Sequence, residues 1–154
     1  MLRRLLLIPL LLVVAMPAAA QDGEVPYWAS LRAEQVNMRV GPSESYPIDW
    51  VYRRRGLPVK VVRLMQGWRL VVDPGGAQGW INARLLTPER TALVVGEGLA
   101  PIRAEPSATA ALRWNAEPGV VGKLGNCESG WCQIDVGGRR GWIEADRIWG
   151  DGDP

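Results

Sequence analysis

A hairpin pattern built from glycine and tryptophan occurs twice in this chain. It reads QGWRLVVDPGGAQGW from Gln66 to Trp80 and SGWCQIDVGGRRGW from Ser129 to Trp142. The match continues upstream, in the pairs Met38 and Ile102, Pro42 and Pro106, Trp50 and Trp114, and Pro58 and Pro118. Solenoid repeats run about 20 to 50 residues, so a repeat of about 60 residues indicates two duplicated domains. We place them at residues 30–87 and 91–150, joined by the linker Pro88-Glu89-Arg90.

Each copy is predicted to consist of short strands. Residues 35–40 alternate apolar and polar side chains, and residues 59–63 are rich in β-branched side chains, as is typical of strands. The sequences DPGG at 73–76 and VGGR at 136–139 are typical of tight turns. The segments NARLL and EADRI are each long enough for one helical turn. This pattern predicts an all-β fold with a small closed or half-closed barrel in each copy.

The first twenty residues have the pattern of a secretory signal peptide. Arg3 and Arg4 precede an apolar run from Leu5 to Met16, and three alanines end at Ala20. We therefore predict a signal peptide at 1–20 and a periplasmic or secreted protein. The alternative, an uncleaved membrane anchor, is less favoured because the run is shorter than the about 20 residues that span a bilayer. After cleavage no stable membrane span is expected.

Charge and residue content exclude several classes of function. Of 18 basic residues, two lie in the predicted signal peptide, which leaves 18 − 2 = 16 against 16 acidic residues. A net charge near zero argues against nucleic-acid binding. The single basic run, Arg53-Arg54-Arg55, is interpreted as a solvated loop, with contact to an anionic ligand as the alternative. The chain has no histidine, so we predict no enzyme activity, no metal site and no cofactor.

The two cysteines, Cys127 and Cys132, are predicted to form a disulfide in an oxidising compartment. Zinc binding is disfavoured because a structural site needs four ligands. A redox role remains an alternative. The second copy is three residues longer between Pro118 and Trp131, and Cys127 lies in that insertion. We expect the disulfide to pin an extra loop onto the strand that follows.

The segments VNMRVGPSESYPIDWVYRRRGLPVKVV and GWINARLL resemble an exported bacterial SH3-like domain. The second copy is similar but looser, with Glu105 where the RVGPS motif has Gly41. The resemblance implies two tandem SH3-like small β-barrels. It also implies a non-enzymatic module that binds peptides or cell-wall material.

Strand alternation indicates which side chains could face a ligand. In WCQIDV, Cys132, Ile134 and Val136 share one face, which should be core, and Trp131 lies on the other. Aromatic grooves are therefore predicted, with the candidate ligand-binding residues Tyr46, Trp50, Tyr52, Trp68, Arg39, Arg53, Trp114 and Trp131. The alternative is that the tryptophans pack in the cores or between the two barrels.

The sequence thus favours an exported tandem barrel that binds peptidoglycan or an envelope peptide. The alternative is a protein-interaction module that docks an envelope enzyme or forms a homodimer. The oligomeric state does not follow from the sequence.

Overall fold

The computed structural model describes residues 24–154, so the predicted signal peptide at 1–20 lies outside the described residues. The described part contains no α-helix and forms two seven-stranded antiparallel sheets, one for each copy. The predicted all-β class with two tandem SH3-like barrels is confirmed. Residues 24–154 include no helix long and apolar enough to cross a membrane.

The first barrel has the strand order β3-β2-β6-β5-β4-β1-β7. Its strands are β1 Tyr27–Leu31, β2 Val36–Arg39, β3 Ile48–Tyr52, β4 Pro58–Met65, β5 Trp68–Val72, β6 Gln78–Asn82 and β7 Leu86–Thr87. The predicted helical turn is confirmed as 3₁₀ helix at Ala83–Leu85. The first sheet begins three residues before the start predicted for the domain.

The second barrel repeats this order as β10-β9-β13-β12-β11-β8-β14. Its strands are β8 Thr91–Val94, β9 Ala100–Arg103, β10 Leu112–Ala116, β11 Val121–Glu128, β12 Trp131–Val136, β13 Arg139–Glu144 and β14 Ile148–Trp149. A 3₁₀ turn at Ala145–Arg147 again matches the prediction.

One apolar core lies inside each barrel. In β12, Cys132 and Ile134 are fully buried and Val136 packs against them, which confirms the predicted inward face. Trp131, one residue away, is only half-buried. At the end of each hairpin the isoleucine points inward, because Ile81 and Ile143 are both completely buried. The tryptophan before each isoleucine therefore lies on the outer face of its strand.

Each of these tryptophans is preceded by a glycine for a steric reason. A Cβ on Gly79 would overlap the Met38 side chain, and a Cβ on Gly141 would overlap Ile102. Met38 and Ile102 are themselves fully buried core residues on the neighbouring strands. Only glycine lets β6 and β13 approach these strands closely, so the repeated Gly-Trp pattern reflects how the barrel packs.

The two barrels touch through residues from both. The Trp28 and Trp149 rings meet edge to face with 4.7 Å between centroids. The Trp28 Nε1 donates to the Gly152 carbonyl at 3.1 Å, and the Thr91 hydroxyl donates to the Gly56 carbonyl at 2.7 Å. Packing of tryptophans between the barrels, left open by the sequence, therefore occurs at Trp28 and Trp149.

Cys127 and Cys132 form the predicted disulfide. The two residues are direct partners in the ladder between β11 and β12. The expectation of an extra loop is wrong, because β11 has eight residues, as β4 has. The backbone hydrogen bonds place Val120 where the first barrel has Leu57, so Val121 and not Pro118 is the structural counterpart of Pro58, and no residues are inserted before Trp131. The disulfide therefore joins two paired strands.

Candidate aromatic binding site

Trp50 is the most exposed tryptophan among the predicted site residues. It lies in β3 directly opposite Met38 of β2, with 59% of its surface exposed. Three further exposed apolar residues, Val40, Tyr46 and Ile48, lie on the same two strands and their connecting loop. We call Val40, Tyr46, Ile48 and Trp50 the β2–β3 patch. Several exposed apolar residues this close together in the chain are typical of an interaction surface when they form a contiguous patch.

Arg39 holds the loop between β2 and β3 in place. Its Nη1 donates to the Tyr46 carbonyl at 2.7 Å. The Tyr46 ring packs on Gly41, because a Cβ at position 41 would lie within 2.6 Å of three ring atoms. The structure thus gives Arg39 a structural hydrogen bond at the position where the sequence predicted a ligand contact.

The second barrel forms the same loop between β9 and β10, but it has Ala110 where the first barrel has the ring of Tyr46. Arg103 donates to the Ala110 carbonyl at 2.9 Å, as Arg39 does to Tyr46. The serine turns also match, with backbone hydrogen bonds from Ser107 to Glu105 at 2.8 Å and from Ser43 to Gly41 at 3.0 Å. Glu105 is tolerated because Ala110, unlike Tyr46, places no ring over this position.

Tyr52 lies beneath the patch and is only 6% exposed. Its hydroxyl donates to the Asp73 carboxylate at 3.0 Å and lies 3.4 Å from the Met38 sulfur. Burial, followed by the hydrogen bond to Asp73 and the charges of Asp73 and Asp49, raises the pKa of Tyr52. A buried ring does not fit the predicted ligand contact, so Tyr52 acts as a core residue that fixes Asp73.

Trp114, the counterpart of Trp50, is covered. It lies opposite Ile102 and packs against the second core. The Arg139 guanidinium lies over its ring, 4.5 Å from the centroid. The buried Trp114 Nε1 has no hydrogen-bond partner among residues 24–154. Trp114 therefore does not present an open aromatic face to a ligand.

The remaining predicted residues are Trp68, Trp131 and Arg53, none of which is a member of the patch. Trp68 is half-buried at the start of β5, and Asp73, which touches Tyr52, follows the other end of that strand. Trp131 holds the corresponding place at the start of β12. Arg53 is exposed just after β3. Of the four residues predicted to form a groove in the first domain, Tyr46 and Trp50 are exposed, Trp68 is half-buried and Tyr52 is buried.

Two depressions lie elsewhere on the molecule. One of about 430 Å³ on the second barrel is lined in part by Arg140 and Asp135, and one of about 530 Å³ between the barrels is lined in part by Lys123 and Glu89. These charges already pair with one another, Lys123 with Glu89 at 2.7 Å and Arg140 with Asp135 at 2.8 Å. No group of three potential metal-ligating side chains occurs in the described residues. The β2–β3 patch is therefore the better candidate site.

The family model for the bacterial SH3 domain matches the chain twice, at residues 32–88 and 96–150. The chain belongs to the bacterial SH3 domain family. No curated protein matches this bacterial SH3 domain protein.

Three solved structures are similar to the chain at low sequence identity. They are NlpC2 from Trichomonas vaginalis (14% identity, TM-score 0.37, covering 83% of this chain and 49% of that one), NlpC1 from Trichomonas vaginalis (17%, 0.36, 87% and 51%) and a NlpC/P60 family protein from Bacillus cereus ATCC 10987 (13%, 0.37, 80% and 56%). The tandem bacterial SH3 domains span about half the length of these structures.

The two bacterial SH3 domains differ in charge around the equivalent tryptophans. Asp49 precedes Trp50, whereas Arg113 precedes Trp114. Two residues before the Gly-Trp pair, the first domain has Ala77 and the second has Arg139, which covers Trp114. Sequence reasoning missed these neighbours, although the alignment of the two copies contains the signal.

Proposed function

We propose that this protein is an exported, non-enzymatic binding protein that recognises peptidoglycan or an envelope peptide through the β2–β3 patch of its first domain. The observation that carries the proposal is the 59% exposure of Trp50. Leaving a large aromatic side chain in water forfeits the free energy that its burial would provide. A ligand that covers the ring recovers part of that free energy.

The surroundings of Trp50 favour an extended ligand. Tyr46, at 45% exposure, lies in the loop that leads into β3, and the exposed Ile48 begins that strand, so exposed apolar residues continue along the chain from the loop to Trp50. Aromatic surfaces of this shape suit peptide segments or the faces of sugar rings. Because the patch is shallow and belongs to one domain, we expect weak binding that increases on a ligand with many repeats.

The proposal places the protein in the periplasm or outside the cell, on the basis of the signal peptide predicted at 1–20. Peptidoglycan and envelope peptides are both accessible there. The lack of histidine in the whole chain supports a binding role over catalysis.

A second candidate function is docking to another protein or to a second copy of the chain. Leu99 and Leu112 of the second domain are both more than half exposed, which adds apolar surface outside the β2–β3 patch. A molecular mass that rises with protein concentration in sedimentation would favour this alternative.

Co-sedimentation with purified cell-wall sacculi tests the proposal. Wild-type protein should pellet with the sacculi, and Trp50→Ala should remain in the supernatant while unfolding as the wild type does. Met65→Ala is a matched control, because Met65 is similarly exposed but lies at the far end of β4. Wild-type protein that does not pellet, or Trp50→Ala protein that pellets equally well, refutes the proposed site.

A further inference from the structure

The duplication allows each residue around Trp50 to be compared with its counterpart in the second domain. Trp50 and Trp114 occupy the same ladder position, opposite Met38 and Ile102. The equivalent neighbours are Asp49 and Arg113, Asp73 and Val136, and Ala77 and Arg139. The first domain thus has two carboxylates and an alanine where the second has two arginines and a valine.

In the second domain the tryptophan ring already binds a cation from its own chain. The Arg139 guanidinium lies 4.5 Å from the Trp114 centroid, within the range of a cation–π interaction. Arg113 is anchored nearby, because its Nη1 donates to the Arg140 carbonyl at 2.9 Å. A cationic ligand would therefore find the Trp114 ring already covered by Arg139 and would be repelled by the charge of Arg113.

In the first domain the same ring position is open. Ala77 is too short to reach Trp50 as Arg139 reaches Trp114, and the Trp50 ring remains exposed. Asp73 is held by Tyr52 and by the backbone nitrogens of Gly75 and Ala77, at 2.9 and 2.8 Å. Asp49 has no ion-pair partner within residues 24–154.

Beyond the effect of burial, the carboxylates of Asp73 and Asp49 both lie close enough to Tyr52 for their charges to raise its pKa. Asp49 is the direct neighbour of Trp50 in the chain, and Asp73 contacts Tyr52, which lies on the same face of β3 as Trp50. An aromatic face beside carboxylates attracts ammonium and guanidinium groups, since the ring quadrupole and the charges act in the same direction.

We propose that Trp50 of the first domain binds a cationic side chain of an extended peptide, and that the second domain is a closed version in which Arg139 takes the ligand's place. This inference rests on the proposed function, because it uses the same surface. It goes further by naming the charge of the ligand group and by assigning binding to one domain.

The test uses the peptide acetyl-Gly-Gly-Lys-Gly-Gly-amide and the same peptide acetylated on the lysine Nζ. Binding is followed through the Trp50 indole N–H resonance of the full chain at low salt. A cation–π contact at an exposed site predicts about two- to fivefold tighter binding of the charged peptide. Asp49→Asn should reduce this preference, and added salt should weaken it.

Ala77→Arg is the decisive variant, because it gives the first domain an arginine at the position from which Arg139 covers Trp114 in the second domain. We expect it to abolish the shift of the Trp50 resonance by the charged peptide. Met65→Arg adds the same charge at a distant exposed position and should bind as the wild type does. Both variants are checked for wild-type unfolding.

Equal affinity for the two peptides, or full binding by Ala77→Arg, overturns the inference. The outcome is distinguishable from failure of the proposed function. If sacculi retain the wild type but the protein binds the charged and the acetylated peptide equally, only the cationic site is refuted. A charge preference without retention on sacculi refutes only the cell-wall ligand.

Discussion

Gly41→Ala should destabilise the first domain, and removal of the Tyr46 ring should relieve most of that effect. A Cβ at position 41 would lie within 2.6 Å of three atoms of the ring, one of them the Cγ nearest the backbone. Gly41 does not have the positive φ that by itself requires glycine. The obstacle to a side chain here is therefore the neighbouring ring.

The magnitude follows from overpacking at a partly exposed site. Forcing extra atoms into a packed region costs about 1–3 kcal/mol. Tyr46 is 45% exposed and can move toward solvent, so we expect the lower part of that range, about 1–1.5 kcal/mol. In the double variant Gly41→Ala, Tyr46→Ala the new methyl group meets no ring. The coupling between the two substitutions should be at least about 0.5 kcal/mol.

A double-mutant cycle by denaturant unfolding measures this coupling. Glu105→Ala is the control at the equivalent position of the second domain, where Ala110 already lacks a ring, and it should change the free energy of unfolding by less than about 0.5 kcal/mol. The reasoning is refuted if the two substitutions add independently.

Two other predictions concern a buried hydroxyl and the contact between the domains. Because burial and Asp73 raise the pKa of Tyr52 above its unfolded value of about 10, the protonated hydroxyl stabilises the fold below pH 10, and the free energy of unfolding should fall as the pH rises further. Tyr52→Phe should lack this contribution in alkaline denaturation; an unchanged pH profile would contradict the assignment. Trp28→Ala removes the edge-to-face contact with Trp149, worth about 0.5–1.5 kcal/mol, and should separate domain unfolding into two calorimetric transitions. A single unchanged transition would show that other contacts couple the domains.

Strand periodicity and duplication predicted two small β-barrels, and the resemblance to bacterial SH3-like domains predicted their type. Alternation in WCQIDV identified Cys132 and Ile134 as core residues, because side chains alternate strictly between the faces of a strand. The same rule was ambiguous for WRLVVD, where Arg69 occupies the position of the buried Cys132 and Val71 is the buried residue. Which strand face becomes core there depends on neighbouring strands far away in the sequence.

The site was predicted less completely, since exposure depends on side chains that cover one another. Trp50 and Trp114 are indistinguishable by position in the repeat, yet Arg139 covers only Trp114. Tyr52 resembles a surface aromatic in the sequence, but its partner Asp73 lies 21 residues away. The tryptophan pair between the domains joins Trp28 to Trp149, and no local pattern indicates such a contact.

The position of Trp28 also has a consequence for the order of folding during synthesis. All strands of the first sheet are complete once Thr87 has been made, but the hydrogen-bond partner of the Trp28 indole, Gly152, lies 124 residues along the chain. The first domain can therefore fold while Trp28 still lacks its cover. The contact between the domains closes last, after the second barrel has formed, so a nascent first domain exposes an additional aromatic surface for most of the synthesis of the second.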